Sequence, residues 1–208
     1  MSARSLEHPG FARLYSRVSR WLDVHGGDAY RTRLLSPLSG RVVEIGAGNG
    51  LNFAHYPSTV NQVLAIEPES RLRAEAVRAA AGSRVPVHVV SGRAEQLPLP
   101  DGGVDGAVLS LVLCSIEDRA AALAEIRRSL RPGGIVRFYE HVRSAQPVVA
   151  RFQDGFAPVW KRLAGGCRFN QDAVAVLRAA GFVIADLDRF PFAGATHVLG
   201  TASAGQPH

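Results

Sequence analysis

The chain has 208 residues, 24 basic and 18 acidic side chains, a formal net charge of +6 and a hydrophobic share of 47%. That length suits one domain with a sizeable core and is too short for two ordinary ones, and the apolar content excludes a disordered chain. No run of eighteen apolar residues is present to span a membrane, and no charged-then-apolar leader opens the sequence, so the expected compartment is the cytoplasm. Two cysteines, Cys114 and Cys167, cannot build a disulfide framework and read as reduced thiols. The basic excess is almost all arginine, with Lys161 the one lysine. That bias fits GC-rich coding, and arginines scattered over helix faces are weak support for an anionic partner.

In chain order, Phe11, Leu14, Tyr15, Val18, Trp21 and Leu22 recur at helical spacing, with Arg13, Arg17 and Arg20 on the other side. This predicts an amphipathic helix whose apolar stripe packs over the domain as a lid (residues 1–38). Its basic face with Trp and Phe also fits a surface helix, giving a peripheral membrane contact through residues 11–24. Strands are expected at Arg41–Ile45, Gln62–Ile66, Val85–Val90, Val104–Leu113, Ile135–Glu140, Phe182–Leu187 and His197–Thr201. Helices are expected at Arg71–Ala81, Asp118–Leu130 and Asn170–Ala180, with Gly82, Gly133 and Gly181 placed to cap them. Strands alternating with helices predict a Rossmann-like, doubly wound α/β sheet of seven mostly parallel strands. The last two strands lack a helix between them and should form an antiparallel edge hairpin. Residues 39–143 then form the core, 144–169 an irregular insertion at the acceptor pocket, and 170–208 the last helix and edge strands.

The most informative stretch is Val42–Gly50, where a strand runs into Gly46-Ala47-Gly48-Asn49-Gly50 and Leu51-Asn52-Phe53 starts a helix. Such glycines permit positive φ and close backbone approach to a ligand, and a helix N-terminus offers N–H groups to an anion. The dinucleotide pattern fails because its third glycine would fall at Leu51, and no Gly-Lys-Ser/Thr follows for a phosphate loop.

Glu44 to Gly50, as Glu-x-Gly-x-Gly-x-Gly, resembles the first motif of class I S-adenosylmethionine-dependent methyltransferases of the methyltransferase type 11-like kind. Glu67, ahead of Pro68, ends the second strand where an acid accepts ribose hydroxyls in related folds. The segment Ser91–Pro98 resembles the family's adenine-reading turn, although Arg93 stands where many members have Asp; Ala94 N–H with Glu95 is the assignment here. Leu130-Arg131-Pro132-Gly133-Gly134 matches the turn before the fifth strand. The resemblance implies that S-adenosyl-L-methionine is held by Glu44, Gly46, Ala47, Gly48, Gly50, Glu67, Pro68, Ala94, Glu95, Ser110 and Leu111.

The stretch Leu109–Ser115 is apolar where nucleic-acid and protein-amide methyltransferases carry Asn/Asp-Pro-Pro-Tyr, which points away from nucleic acid and toward a small apolar acceptor. Leu111–Ser115, Glu140-His141-Val142, Gln153, Pro158, Trp160, Gly166-Cys167 and His197-x-x-Gly200 are similar to the methyltransferase-like-seven family, which methylates alkyl thiols and hydrogen sulfide. That similarity leans the acceptor to a thiol. Glu140 and His141 are the candidates for general base or substrate orientation. Tyr15, Cys114, Trp160 and Cys167 are the candidates for the acceptor pocket. No metal is expected, since the remaining histidines show no ligand spacing and methyl transfer needs none. The alternatives are a phospholipid N-methyltransferase, an O- or N-methyltransferase of a small aromatic metabolite, and a cofactor-binding protein without activity.

Overall fold

The computed structural model describes residues 9–144, 146–163, 167 and 170–205. Seven strands form one sheet in the order β3-β2-β1-β4-β5-β7-β6. They are β1 (Gly40–Ile45), β2 (Val60–Ile66), β3 (Val87–Val90), β4 (Val104–Ser110), β5 (Leu130–Val142), β6 (Phe182–Phe192) and β7 (Ala195–Ala204). The first five are parallel, β7 inserts antiparallel between β5 and β6, and the order in which strands are added reverses between β1 and β4. An open α/β sheet places its ligand crevice at that reversal, beyond the strand carboxyl ends.

The inner strands carry apolar residues at successive positions, as at Val42-Val43 and Ala107-Val108-Leu109, because both their faces are covered. Alternation sends Val43 and Ile45 to the face under α4 (Arg119–Ser129) and α6 (Ala173–Ala179), packed with Leu123, Ile126, Phe138 and Leu177. Val42 goes to the opposite face with Leu34, Leu35, Phe53 and Ala76, beneath α2 (Asp28–Leu35) and α3 (Ser70–Ala80). Glu44 shares the parity of Val42, so this carboxyl is delivered to the α2 side. The later helices start where side-chain acceptors cap them: Glu69 takes the Leu72 N–H, Asp118 the Ala121 N–H and Asp172 the Ala175 N–H.

Four expectations change. Residues 144–169 are not irregular throughout, because Pro147–Leu163 forms a seventeen-residue helix, α5. Glycine and proline both disfavour a helix interior, yet Gly155 and Pro158 lie inside this one, where buried Gln153 receives the Ser144 N–H at 2.8 Å and Arg143 pairs with Asp154 at 2.7 Å, fastening the helix to the end of β5. Strand β4 ends at Ser110 rather than Leu113, because Leu111 takes a φ of +56° and a turn follows, closed by the Ser115 N–H on the Val112 carbonyl. Gly133 has a φ of +78° but lies within β5, past the end of α4 at Ser129, so it caps no helix.

The fourth change concerns α1 (Pro9–Leu22). Its packed face is Ala12, Ser16 and Ser19, at 0%, 4% and 6% exposure, while Leu14, Val18 and Trp21 stand at 60%, 45% and 59%. The helix is turned roughly 100° from the packing expected, the step between adjacent residues on a helical wheel. Polar bonds hold it there: Ser16 and Arg20 both donate to the buried Glu75 carboxylate of α3, and Asn49 of the glycine loop donates to Ser19 at 3.1 Å. A break at His25 and Gly26 then leads into α2, which the sequence pattern does not separate from the rest of the lid.

Candidate functional site

Three backbone devices converge at the carboxyl ends of β1, β2 and β4. Gly46, Gly48 and Gly50 have φ of +64°, +57° and +80°, a left-handed conformation that costs any other residue about 1–2 kcal/mol. The three do different work. A side chain at Gly46 would strike Val112 at 2.4 Å, one at Gly48 would meet the Tyr15 ring at 3.2 Å, and one at Gly50 would strike Phe53 at 2.8 Å and Ala79 at 2.9 Å. Gly50 therefore lets the loop lie against α3, and Gly48 lies at the face that α1 covers. After Gly50 the chain makes only one 3₁₀ turn, Leu51–His55, in place of the helix expected there. The loop's own amides are largely engaged within the protein, Ala47 donating to the Ile66 carbonyl at 3.1 Å and Gly50 to the Ala47 carbonyl at 3.0 Å.

Glu67 ends β2 with its two oxygens on backbone amides, Oε2 receiving the Gly48 N–H at 2.7 Å and Oε1 the Glu69 N–H at 2.9 Å. Burial outweighs those two bonds and pushes its pKa up to about 7. Glu44 is also buried, and receives Asn52 Nδ2 at 2.8 Å and the Tyr56 hydroxyl at 2.7 Å. Desolvation raises its pKa, with those bonds and Arg31 opposing. Arg31 of α2 is the buried cation beside this group, donating to Asp23 at 2.6 Å and to Asn52 at 2.8 Å. Sequence reasoning missed Arg31, Asn52 and Tyr56, which sit on separate segments in no recognisable spacing. Tyr15 lies over the loop, and its hydroxyl pKa is raised by burial, with Arg31 lowering it and Glu67, Cys114 and Glu44 raising it.

At the end of β4, Ser110 Oγ is buried without a hydrogen-bond partner, next to the strained Leu111. Strain of this kind persists where the surrounding structure enforces it and gathers at ligand sites. Glu140, fully buried in β5, accepts the Val112 and Leu113 N–H groups on Oε1 at 3.0 Å each, pinning the turn after β4. Cys114 on that turn lies against His141, and Cys167 from beyond α5 donates its thiol to Cys114 at 3.1 Å. Ala94 is buried after β3, and Glu95 pairs with Arg93 at 3.5 Å on the surface of that turn. Pro68 offers its carbonyl to Arg73 at 2.7 Å. The side chain of Trp160 lies outside the described residues.

A glycine loop after β1, an acid ending β2 and an orphaned hydroxyl ending β4, on a sheet of this order, define a doubly wound cofactor-binding domain of the methyltransferase class. Residues 43–138 match a family model described as "Methyltransferase domain". Human thiol S-methyltransferase TMT1B is 33% identical over 165 residues, covering 76% of this chain and 66% of that protein. Human thiol S-methyltransferase TMT1A is 32% identical over 145 residues, covering 68% and 59%. The chain thus spans about three fifths to two thirds of the length of these curated relatives. A solved Thermotoga maritima protein, described as an S-adenosylmethionine-dependent methyltransferase and possible histamine N-methyltransferase, superposes with a TM-score of 0.68 at 25% identity, over 94% of this chain and 98% of that one. The chain belongs to the class I S-adenosylmethionine-dependent methyltransferases.

The residues present fit that cofactor. The orphaned Ser110 hydroxyl, the Gly48 backbone facing the Tyr15 ring and a carboxylate with free lone pairs at Glu67 are features a nucleoside with a zwitterionic tail can use.

Proposed function

We propose that the protein transfers a methyl group from S-adenosylmethionine to a small, fairly apolar thiol. The observation that carries this reading is the grouping of Cys114, His141 and Cys167 beside the buried end of β4, in a chain 33% identical to a thiol S-methyltransferase. When bound, the cofactor supplies an electrophilic sulfonium methyl group. The glycine loop of Gly46, Ala47, Gly48 and Gly50 gives its methionine end a close backbone approach, with Arg31 and Glu44 setting the local charge. Glu67 accepts its ribose hydroxyls, Pro68 follows in the same turn, and the Ala94 N–H with Glu95 reads the adenine edge. Ser110 and Leu111 border the transferred group. Glu140 positions the turn, holding Val112 and Leu113, and His141 stands beside Cys114 on the side where the acceptor enters.

The chemistry then asks little of the protein beyond alignment and exclusion of water. An apolar wall after β4 serves both, and α1 closes it, with Tyr15 against Gly48. A labelled-methyl assay across alkyl thiols, phenols, amines and phosphatidylethanolamine tests the acceptor. Label in a thioether supports the reading, and label confined to a phenol or an amine overturns it.

The outward face of α1 supports a further element of the reading, a peripheral contact with an anionic bilayer. Leu14, Val18 and Trp21 form an exposed apolar stripe flanked by Arg13 and Arg17, the arrangement of a helix lying in a lipid interface. Among the described residues no helix is long and apolar enough to cross a membrane. Labelled phosphatidylethanolamine in the same assay would favour a lipid acceptor instead.

A further inference from the structure

The turn after β4, the end of β5 and the segment between α5 and α6 each deliver one soft ligand to the same place. Cys114 Sγ, a ring nitrogen of His141 and Cys167 Sγ all lie within 4.8 Å of one another, with the two sulfurs 3.1 Å apart. Cys114 is buried, and His141 Nδ1 is buried without a hydrogen-bond partner. Beside them is a cavity of about 10 Å³ whose lining includes Cys114, Arg119, Glu140, His141 and Gln171, room for about one water-sized group.

From this geometry we infer that Cys114, His141 and Cys167 form a zinc site whose fourth position is open to the acceptor sulfur. Two thiolates and an imidazole are the ligand set that selects zinc over hard cations, and three protein ligands with one open position mark a catalytic rather than a structural site. In a tetrahedral zinc site the sulfurs stand about 3.8 Å apart, from Zn–S bonds of about 2.3 Å. The pair here need open by well under 1 Å to admit the ion. Glu140 contributes by anchoring the Cys114 turn through Val112 and Leu113, as groups behind a ligand commonly do.

This deepens, and in its acceptor part rests on, the thiol reading. A thiol entering the fourth position exchanges its S–H proton for the metal and releases it to solvent, so His141 serves as ligand rather than as base. The bound sulfur then forms the new S–C bond as the methyl–sulfonium bond breaks, and that electron pair stays on the cofactor's sulfur, leaving neutral S-adenosylhomocysteine. The thioether product carries no charge and binds zinc more weakly than the thiolate, which favours its release.

The test uses the full chain purified under reducing conditions with zinc present, followed by elemental analysis and cobalt(II) substitution. The expected results are about one metal per chain, the stoichiometry of a mononuclear site with three protein ligands, and a cobalt spectrum with thiolate charge-transfer bands and tetrahedral visible bands that shift on adding ethanethiol. Cys114→Ser, Cys167→Ser and His141→Ala should each lose the metal. The wild-type cobalt spectrum decides the ligand set by itself if any variant fails to fold. Metal-free protein after zinc loading, cobalt bound without thiolate bands, or the two cysteines recovered as a disulfide overturns the site. Thiol methylation by metal-free protein overturns the metal site but not the acceptor reading. A thiolate-bound cobalt spectrum that no thiol moves, with no thioether formed, overturns the acceptor reading and leaves the metal site standing.

Discussion

Glu67 gives the sharpest test of the cofactor assignment, because its charge state is poised. Its pKa rises from an ordinary 4.5 to about 7, chiefly through burial, against the Glu69 and Gly48 amides that favour the anion. The folded chain therefore keeps a proton that the unfolded chain has already lost between those pH values. By linkage, this group's contribution is most favourable below pH 4.5 and declines as pH rises to 7, by at most roughly 3 kcal/mol. Ribose hydroxyls donating to the carboxylate demand the ionised form. Affinity for S-adenosylhomocysteine should then weaken about tenfold from pH 8 to pH 6, because the carboxyl passes from mostly ionised to mostly protonated. Glu67→Gln should flatten that dependence and weaken binding by about 1–3 kcal/mol, the cost of unmade hydrogen bonds. The amide has an additional conflict here, since its NH₂ group must face one of two backbone donors that Glu67 now satisfies. Isothermal titration across the pH series reads both effects. Wild-type affinity constant from pH 6 to pH 8 would refute the reasoning, as would a Gln variant that keeps the wild-type slope.

Gly50→Ala should destabilise the fold by about 3 kcal/mol, combining left-handed backbone strain with overpacking against Ala79 and Phe53; urea unfolding checks this, and a loss under about 1 kcal/mol would contradict it. Arg137 is 3% exposed on β5 and donates to the Leu34 carbonyl at 2.8 Å and the Arg33 carbonyl at 3.0 Å. It thus ties the end of α2 to the sheet, and Arg137→Met should cost about 2–3 kcal/mol in a denaturant titration by leaving those carbonyls unpaired. Leu14→Glu with Trp21→Glu should reduce sedimentation with phosphatidylserine vesicles by about tenfold or more while leaving cofactor affinity unchanged; equal sedimentation would remove the membrane reading.

The sheet was legible because parallel strands buried on both faces place apolar residues at successive positions, as at Val42-Val43 and Ala107-Val108-Leu109, and glycine punctuation marks their ends. The loop and Glu67 were legible for a related reason: close backbone approach at Gly46 and Gly48 admits one residue type, and a strand end fixes the position of its acid. What escaped depends on partners distant in sequence. Helix α5 survives Gly155 and Pro158 because Gln153 and Asp154 are anchored from the end of β5, and no local pattern encodes that. The orientation of α1 escaped for a more instructive reason. Hydrophobic periodicity finds the stripe but assigns it inward by default. Here the inward face was chosen by Ser16, Ser19 and Arg20, whose partners Glu75 and Asn49 arise on α3 and the glycine loop. A helix held down by polar bonds is free to present its apolar stripe to something else, and on this chain that stripe lies on the same helix that covers the glycine loop with Tyr15. Any surface that draws Leu14, Val18 and Trp21 into itself therefore pulls on the cover of the cofactor site. Lipid binding and cofactor binding should accordingly be coupled, and by reciprocity vesicles that change the affinity for S-adenosylhomocysteine must have their own affinity changed by it in the same ratio.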